Sequence, residues 1–197
     1  NPAFRLSSAG IFRCSVTSVM QSTQMKVILM ERGLSSMDAA YIISVYALGV
    51  ISGRLLCGAA LDRFPTYLVA ALSLGLPAVG LAILASGATS PALLATAVVF
   101  LGAALGAEGD VGGYLAMTYF RLEVYGTVVG IVFGTLSLAS ALGSVILSLT
   151  LQSTGSFAPF MWFAAASALA GSGLFWLLRN VPREGRADET GVRDAQV

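Results

Sequence analysis

Six stretches of twenty or more mostly apolar residues divide the chain, roughly 7–30, 39–61, 67–86, 92–120, 126–151 and 158–178. About 20 such residues cross a bilayer core, so each run is long enough to span one. The runs are continuously apolar rather than alternating, which argues against the strands of a membrane barrel. Lipid offers unpaired backbone groups no partner, so each run is predicted to be a helix. Short connectors with turn chemistry separate them: "ERGLSSMD", "DRFPT", "SGATSP", "RLEVYG" and "QSTGSF". The remainder, "RNVPREGRADETGVRDAQV", is charged and nearly free of large apolar residues. Its composition predicts a disordered tail over 180–197. The expectation is an all-α polytopic membrane protein with one six-helix domain over 1–179.

Polar positions inside the runs then separate the helices. In the fourth run, "LGAALGAEGDVGGYLAM" carries Glu108 and Asp110 without a basic neighbour in sequence. Arg121 marks one end of that run, and Glu108 lies thirteen residues deeper. At ~1.5 Å per residue this is roughly 20 Å, near the middle of a ~30 Å core. An ionised carboxylate at that depth costs about 2.5–3.5 kcal/mol on insertion scales, and such residues face a protein interior or a watery cavity. Burial favours the neutral form of a carboxyl. A group that gains and loses a proton at mid-membrane is what proton-coupled transport requires. The alternative role is a structural hydrogen bond to a neighbouring helix. Two residues along a helix turn about 200°, so the two side chains diverge, and Asp110 shares a face with Tyr114. One carboxylate is expected to line a cavity and the other to meet a helix. Glycines at 102, 106, 109, 112 and 113 allow close helix approach or distortion.

A second polar stripe runs through the first span, where Arg13, Thr17, Gln21 and Gln24 fall within about 80° of one another at 100° per residue. Arg13 either anchors an anionic group or snorkels to the inner interface. Lys26 points away from this stripe, toward the outer interface. Tyr41 and Ser44 lie toward the outer end of the second span. Ser137, Ser140, Ser144 and Ser148 form a narrower stripe in the fifth, read as helix packing. The third and sixth spans carry no internal charge and read as lipid-facing or purely supporting. Polar-lined spans one, two, four and five against bland spans three and six make a three-plus-three pattern, as an internal repeat would produce.

Charge fixes the orientation. Arg5, Arg63, Arg121, Arg179, Arg183 and Arg186 gather on one side, while Arg32 and Lys26 belong to the other. The positive-inside rule puts both termini in the cytoplasm, which an even number of spans also requires. Of the 197 residues, 56% are hydrophobic and only 11% charged. A soluble domain is about a quarter charged, so this chain cannot cover a water-facing surface. A net charge of +1 gives no footprint for nucleic acid. The absence of histidine removes the commonest metal ligand and general base, and no Gly-x-Ser-x-Gly turn is present, so no enzyme, cofactor or metal is expected. Cys14 and Cys57 read as small buried hydrophobes. The polar start "NPAFRLSS", without a following cleavage site, reads as the interior of a longer protein rather than a signal peptide.

The stretch "GRLLCGAALDRFPTYLV" resembles a cytoplasmic signature of the major facilitator superfamily, with Gly53, Arg54, Gly58, Asp62 and Arg63 as its core. "MERGLSSMDAAY" and "YFRLEVYGTVVGIVFG" are similar to the corresponding loops. The chain departs from the family pattern after Arg63, reading "FPTY" where a glycine and basic residues would follow. The resemblance implies the C-terminal six-helix half of a twelve-helix transporter, partnered by an N-terminal half and the lipid bilayer of the cell membrane. It implies alternating access, with Asp62 and Arg63 at a cytoplasmic gate. An aspartate there can sit against a positive helix N-terminus, worth roughly 0.3–1 kcal/mol at an exposed site. "GAEGDVGGYLAMTYFR" looks like the monocarboxylate and oxalate/formate carrier branch, which implies a small organic anion moved with a proton or by exchange. On this reading Arg13, Gln21, Gln24, Tyr41 and Tyr114 are candidate substrate residues, and Glu108 and Asp110 candidate proton-coupling groups. The alternatives are an exporter of drug-like molecules from the same family, and a stand-alone six-helix dimeric channel or scaffold.

Overall fold

The computed structural model describes residues 2–18, 20, 24–119, 124–177 and 179. Regular structure among these is helical throughout: α1 (Pro2–Ser15), α2 (Met25–Glu31), α3 (Ser36–Leu61), α4 (Thr66–Ala85), α5 (Pro91–Tyr119), α6 (Tyr125–Thr154) and α7 (Ala158–Leu177). Five of them, α3 to α7, are long and apolar enough to cross a membrane. Their limits follow local chemistry. Ser35 caps α3, its side chain accepting from the Asp38 amide at 3.1 Å and donating to the Asp38 carboxylate at 2.7 Å. Pro91 opens α5 where a missing N–H costs nothing. Gly155 ends α6 at φ 66°, a left-handed position that a side chain would strain.

The first run departs from expectation. Instead of one helix over 7–30 there are two segments, α1 and α2, with a turn at Val16 and Thr17 after the first. At the turn the Thr17 amide and hydroxyl both donate to the Cys14 carbonyl, at 3.3 and 2.8 Å, and the Ser18 hydroxyl donates to the Ser15 carbonyl at 2.6 Å. Such hydroxyl-to-carbonyl bonds also occur inside the unbroken helices, from Ser52, Thr96 and Ser144, so they accompany the turn without breaking the helix by themselves. Val16 and Thr17 are β-branched and, with the flanking serines, form a run of weak helix formers. Met20 and Gln24 each take π-type backbone before α2 begins. At ~1.5 Å per residue α1 is roughly 21 Å long, short of a bilayer core.

The most extensive helix pair is α3 with α5. Gly49 and Gly53 on α3 face Gly102 and Gly106 on α5, two four-residue glycine spacings set against each other. A Cβ at Gly49 would come within 2.7 Å of the Val99 carbonyl oxygen. One at Gly53, Gly102 or Gly106 would strike the backbone of Ala103, Tyr46 or Val50. Without a hydrophobic drive between helices in lipid, such close backbone approach is what holds them together.

α4 lies between α5 and α7 and buries Val69, Ala70, Leu74, Leu81 and Leu84. α7 buries Phe160, Met161, Ala164 and Phe175 against α4 and α1. The Ser172 hydroxyl donates to the Ala71 carbonyl at 2.6 Å, and Tyr67 meets Trp176 edge-on at 6.0 Å. Both roles read for the bland spans are visible in α4: half of it is buried in the packing, while Leu72 and Val79 stay exposed. By contrast α6 touches chiefly α1 and leaves Ile131, Phe133, Leu138 and Leu149 exposed.

Candidate functional site

The two carboxylates of α5 part as the 200° rotation requires, and each meets a different helix. Glu108 faces α1, where the Ser15 hydroxyl donates to its Oε1. Cys14 on α1 and Tyr46 on α3 lie within electrostatic reach of the same carboxylate. Beside it is a crevice of about 10 Å³, room for no more than one water, lined by Cys14, Thr17, Pro77 and Glu108 among others. Glu108 is thus mostly buried at the junction where α1 ends. Its partner is a hydroxyl, not a base.

Asp110 faces α3. Its Oδ1 lies 3.8 Å from Nε of Arg54, with the two side chains 33% and 62% exposed. The pair is reachable from outside the bundle, which matters more than its strength, since exposed ion pairs contribute about 0–1 kcal/mol. The carboxylates have no basic neighbour in sequence, yet folding supplies one from the helix packed against them. Gly106 permits this, because α5 touches α3 at Val50 and so brings Asp110 within reach of Arg54 one turn on.

The other expected residues scatter. Arg13 is exposed on α1 and borders a groove between α1, α6 and α7. Gln24 occupies the N-cap position of α2, where its side chain makes no capping bond. Gln21 lies outside the described residues, as does Arg121. Tyr41 is 66% exposed on α3. Tyr114 packs beside a buried cluster that includes Val111 and Leu115, and among the described residues no hydrogen bond joins it to Asp110. The signature residues divide into two groups. Gly53 and Arg54 sit two turns inside α3, the first as a packing contact and the second as the partner of Asp110. Gly58 has open space around it, and Asp62 and Arg63 are exposed at the end of α3.

Two participants escaped the sequence reading. Ser15 lies off the Arg13–Gln24 stripe, on the opposite side of α1, so a helical wheel set it aside. Tyr46 carried no signal beyond its position on α3. Among the described residues no three potential metal ligands converge.

All-helical, with five membrane-length apolar helices and acidic groups inside them, this is a multi-pass membrane protein. The model of the Major Facilitator Superfamily matches residues 7–196, and the chain belongs to that superfamily. It is a membrane transporter rather than an enzyme. No curated protein matches the chain.

Proposed function

We propose that the chain is the C-terminal six-helix half of a twelve-helix secondary transporter, with both termini in the cytoplasm of the cell membrane and a membrane domain over 1–179. On this reading α1 and α2 together form the first of six spans, and spans one to three repeat as four to six. The transporter alternates access with its N-terminal half. It moves a small organic anion, coupled to protons or in exchange for another anion.

The observation that carries this reading is the Arg54–Asp110 pair, a permanent cation held by a protonatable acid on the close-packed helices α3 and α5. Ionised, Asp110 competes with an incoming carboxylate for the guanidinium. Protonated, it releases Arg54 to bind the anion. Both side chains are partly exposed, so the net attraction of the pair is about 0–1 kcal/mol. Its upper end reaches the ~1–3 kcal/mol typical of coupling between two ligands. Proton and anion then bind together, because each relieves what opposes the other. Glu108, held by Ser15, is the second protonatable group and senses the end of α1. Asp62 and Arg63 serve the cytoplasmic gate.

The test uses the full-length protein in proteoliposomes. Asp110→Asn is expected to abolish proton-driven uptake while leaving anion exchange, and Arg54→Gln to remove both. Full proton-driven uptake by the double variant Glu108→Gln, Asp110→Asn would dismiss the coupling mechanism.

A further inference from the structure

We infer that Arg13 anchors a binding site for an amphipathic organic anion in the groove between α1, α6 and α7. The groove holds about 460 Å³, within the ~300–1,000 Å³ range of small-molecule sites. Its walls are Phe12 from α1, Leu142 and Ile146 from α6 and Phe163 from α7. Only two polar side chains border it. The Ser167 hydroxyl donates to the Arg13 carbonyl at 2.9 Å, so its proton is already used. The guanidinium of Arg13 remains.

That guanidinium has no ion pair among the described residues. Nor can its own surroundings supply one, since α1, α6 and α7 contain no acidic residue. The neighbouring acid, Glu108, is bound by Ser15. Ser15 stands two residues from Arg13, about 200° around α1, so Arg13 faces away from it. A guanidinium stays charged under all physiological conditions, and at membrane depth a charge needs a counter-charge or water.

Depth decides the source of the anion. Arg13 lies eight residues beyond Arg5, roughly 12 Å further along α1. It is in the last turn of α1, so a lipid headgroup held at the level of Arg5 would have to be drawn that far inward to meet it. The occupant is therefore a small water-borne molecule rather than a phospholipid. A carboxylate would match the two-pronged donor geometry of arginine. An alkyl or aryl body would cover the apolar walls. The site lies on a different pair of helices from Arg54 and Asp110 and stands without the coupling mechanism proposed for them.

The experiment is thermal unfolding of the purified full-length protein with butanoate, hexanoate and octanoate, each set against its neutral amide. Octanoate is expected to raise the melting temperature and octanamide not to. Apparent affinity should rise about fourfold per added methylene until the groove is filled. In an Arg54→Gln background, which removes the anion site of the coupling mechanism, octanoate should still raise the melting temperature, and adding Arg13→Gln should abolish that shift. Should Arg13→Gln fail to fold, Leu142→Trp fills the groove and leaves Arg13 in place; it too should lose the shift. The proposal is overturned if octanoate produces no shift, if octanamide works as well, or if either groove variant retains the effect. Stabilisation by anionic phospholipid in nanodiscs without stabilisation by octanoate would overturn it as well.

Discussion

Replacing Gly53 or Gly106 by alanine adds one methyl group at a place where two backbones already touch. At Gly53 the new Cβ meets the Cα and carbonyl of Ala103, and at Gly106 the carbonyl of Val50 and the amide of Arg54. Neither obstacle is the end of a flexible side chain, so no rotamer change relieves the clash. α3 and α5 must move apart along their whole contact. Overpacking of a tight interface costs about 1–3 kcal/mol, and an immovable neighbour puts these two at the upper end, about 2–3 kcal/mol each. Gly173→Ala is the control: its Cβ would meet nothing within 4 Å, so alanine should be neutral or slightly stabilising by helix propensity. The two free, buried thiols, Cys14 and Cys57, provide a readout, because a thiol-reactive dye labels them only on unfolding. At roughly 2–4 °C per kcal/mol for a chain of this size, each interface variant should melt roughly 4–12 °C below wild type. The double variant should lose less than the sum, because one separation of the helices accommodates both methyls. If Gly53→Ala and Gly106→Ala melt where Gly173→Ala does, the backbone contact between α3 and α5 is not what holds this pair.

Three further outcomes are expected. Ser15→Ala should destabilise by about 0.5–3 kcal/mol, the range from a neutral to a charged hydrogen-bond partner, and should add little in a Glu108→Ala background; additive losses in the double-mutant cycle would show that the two side chains do not interact. Arg32 donates from Nη2 to the Leu84 carbonyl at 2.7 Å, fastening the turn before α3 to the end of α4, so Arg32→Ala should cost about 1–3 kcal/mol in thermal unfolding and Arg32→Lys less; equal melting of all three proteins would exclude that bond. Raising salt should weaken the half-exposed Arg54–Asp110 pair, so apparent anion affinity at neutral pH should change less on Asp110→Asn in high salt than in low; a salt-independent difference would argue against electrostatic competition.

Helix identity was legible because composition and run length leave few alternatives in lipid. The limits of α3 to α7 fall within three residues of the runs read from apolar content, since Ser35, Pro91 and Gly155 punctuate the chain where the runs stop. The break in the first run was not read, although its signal was present. Four consecutive residues from Ser15 to Ser18 combine hydroxyls with the β-branched Val16 and Thr17, weak helix formers that an apolar average does not weigh. The candidate site was legible only in part. Periodicity could say that Glu108 and Asp110 diverge, because rotation per residue is fixed. It could not say that Arg54 reaches one and Ser15 the other, because pairing between helices is set by which glycines let which backbones touch. Arg54 stood in a recognised signature, and that context drew it toward the cytoplasmic end rather than toward Asp110.

The interruption after Ser15 gives the molecule a joint. An unbroken rod must give up backbone bonds before it can bend, whereas at Val16 and Thr17 the regular ladder is already interrupted, the Thr17 amide reaching only three residues back to Cys14 at 3.3 Å. The pieces on either side answer to different neighbours, α1 to α7 and α6, and α2 to α3. Rocking one flank of the bundle against the other would therefore be absorbed at this point, next to the carboxyl of Glu108, and a change of charge there would be felt as a change of angle.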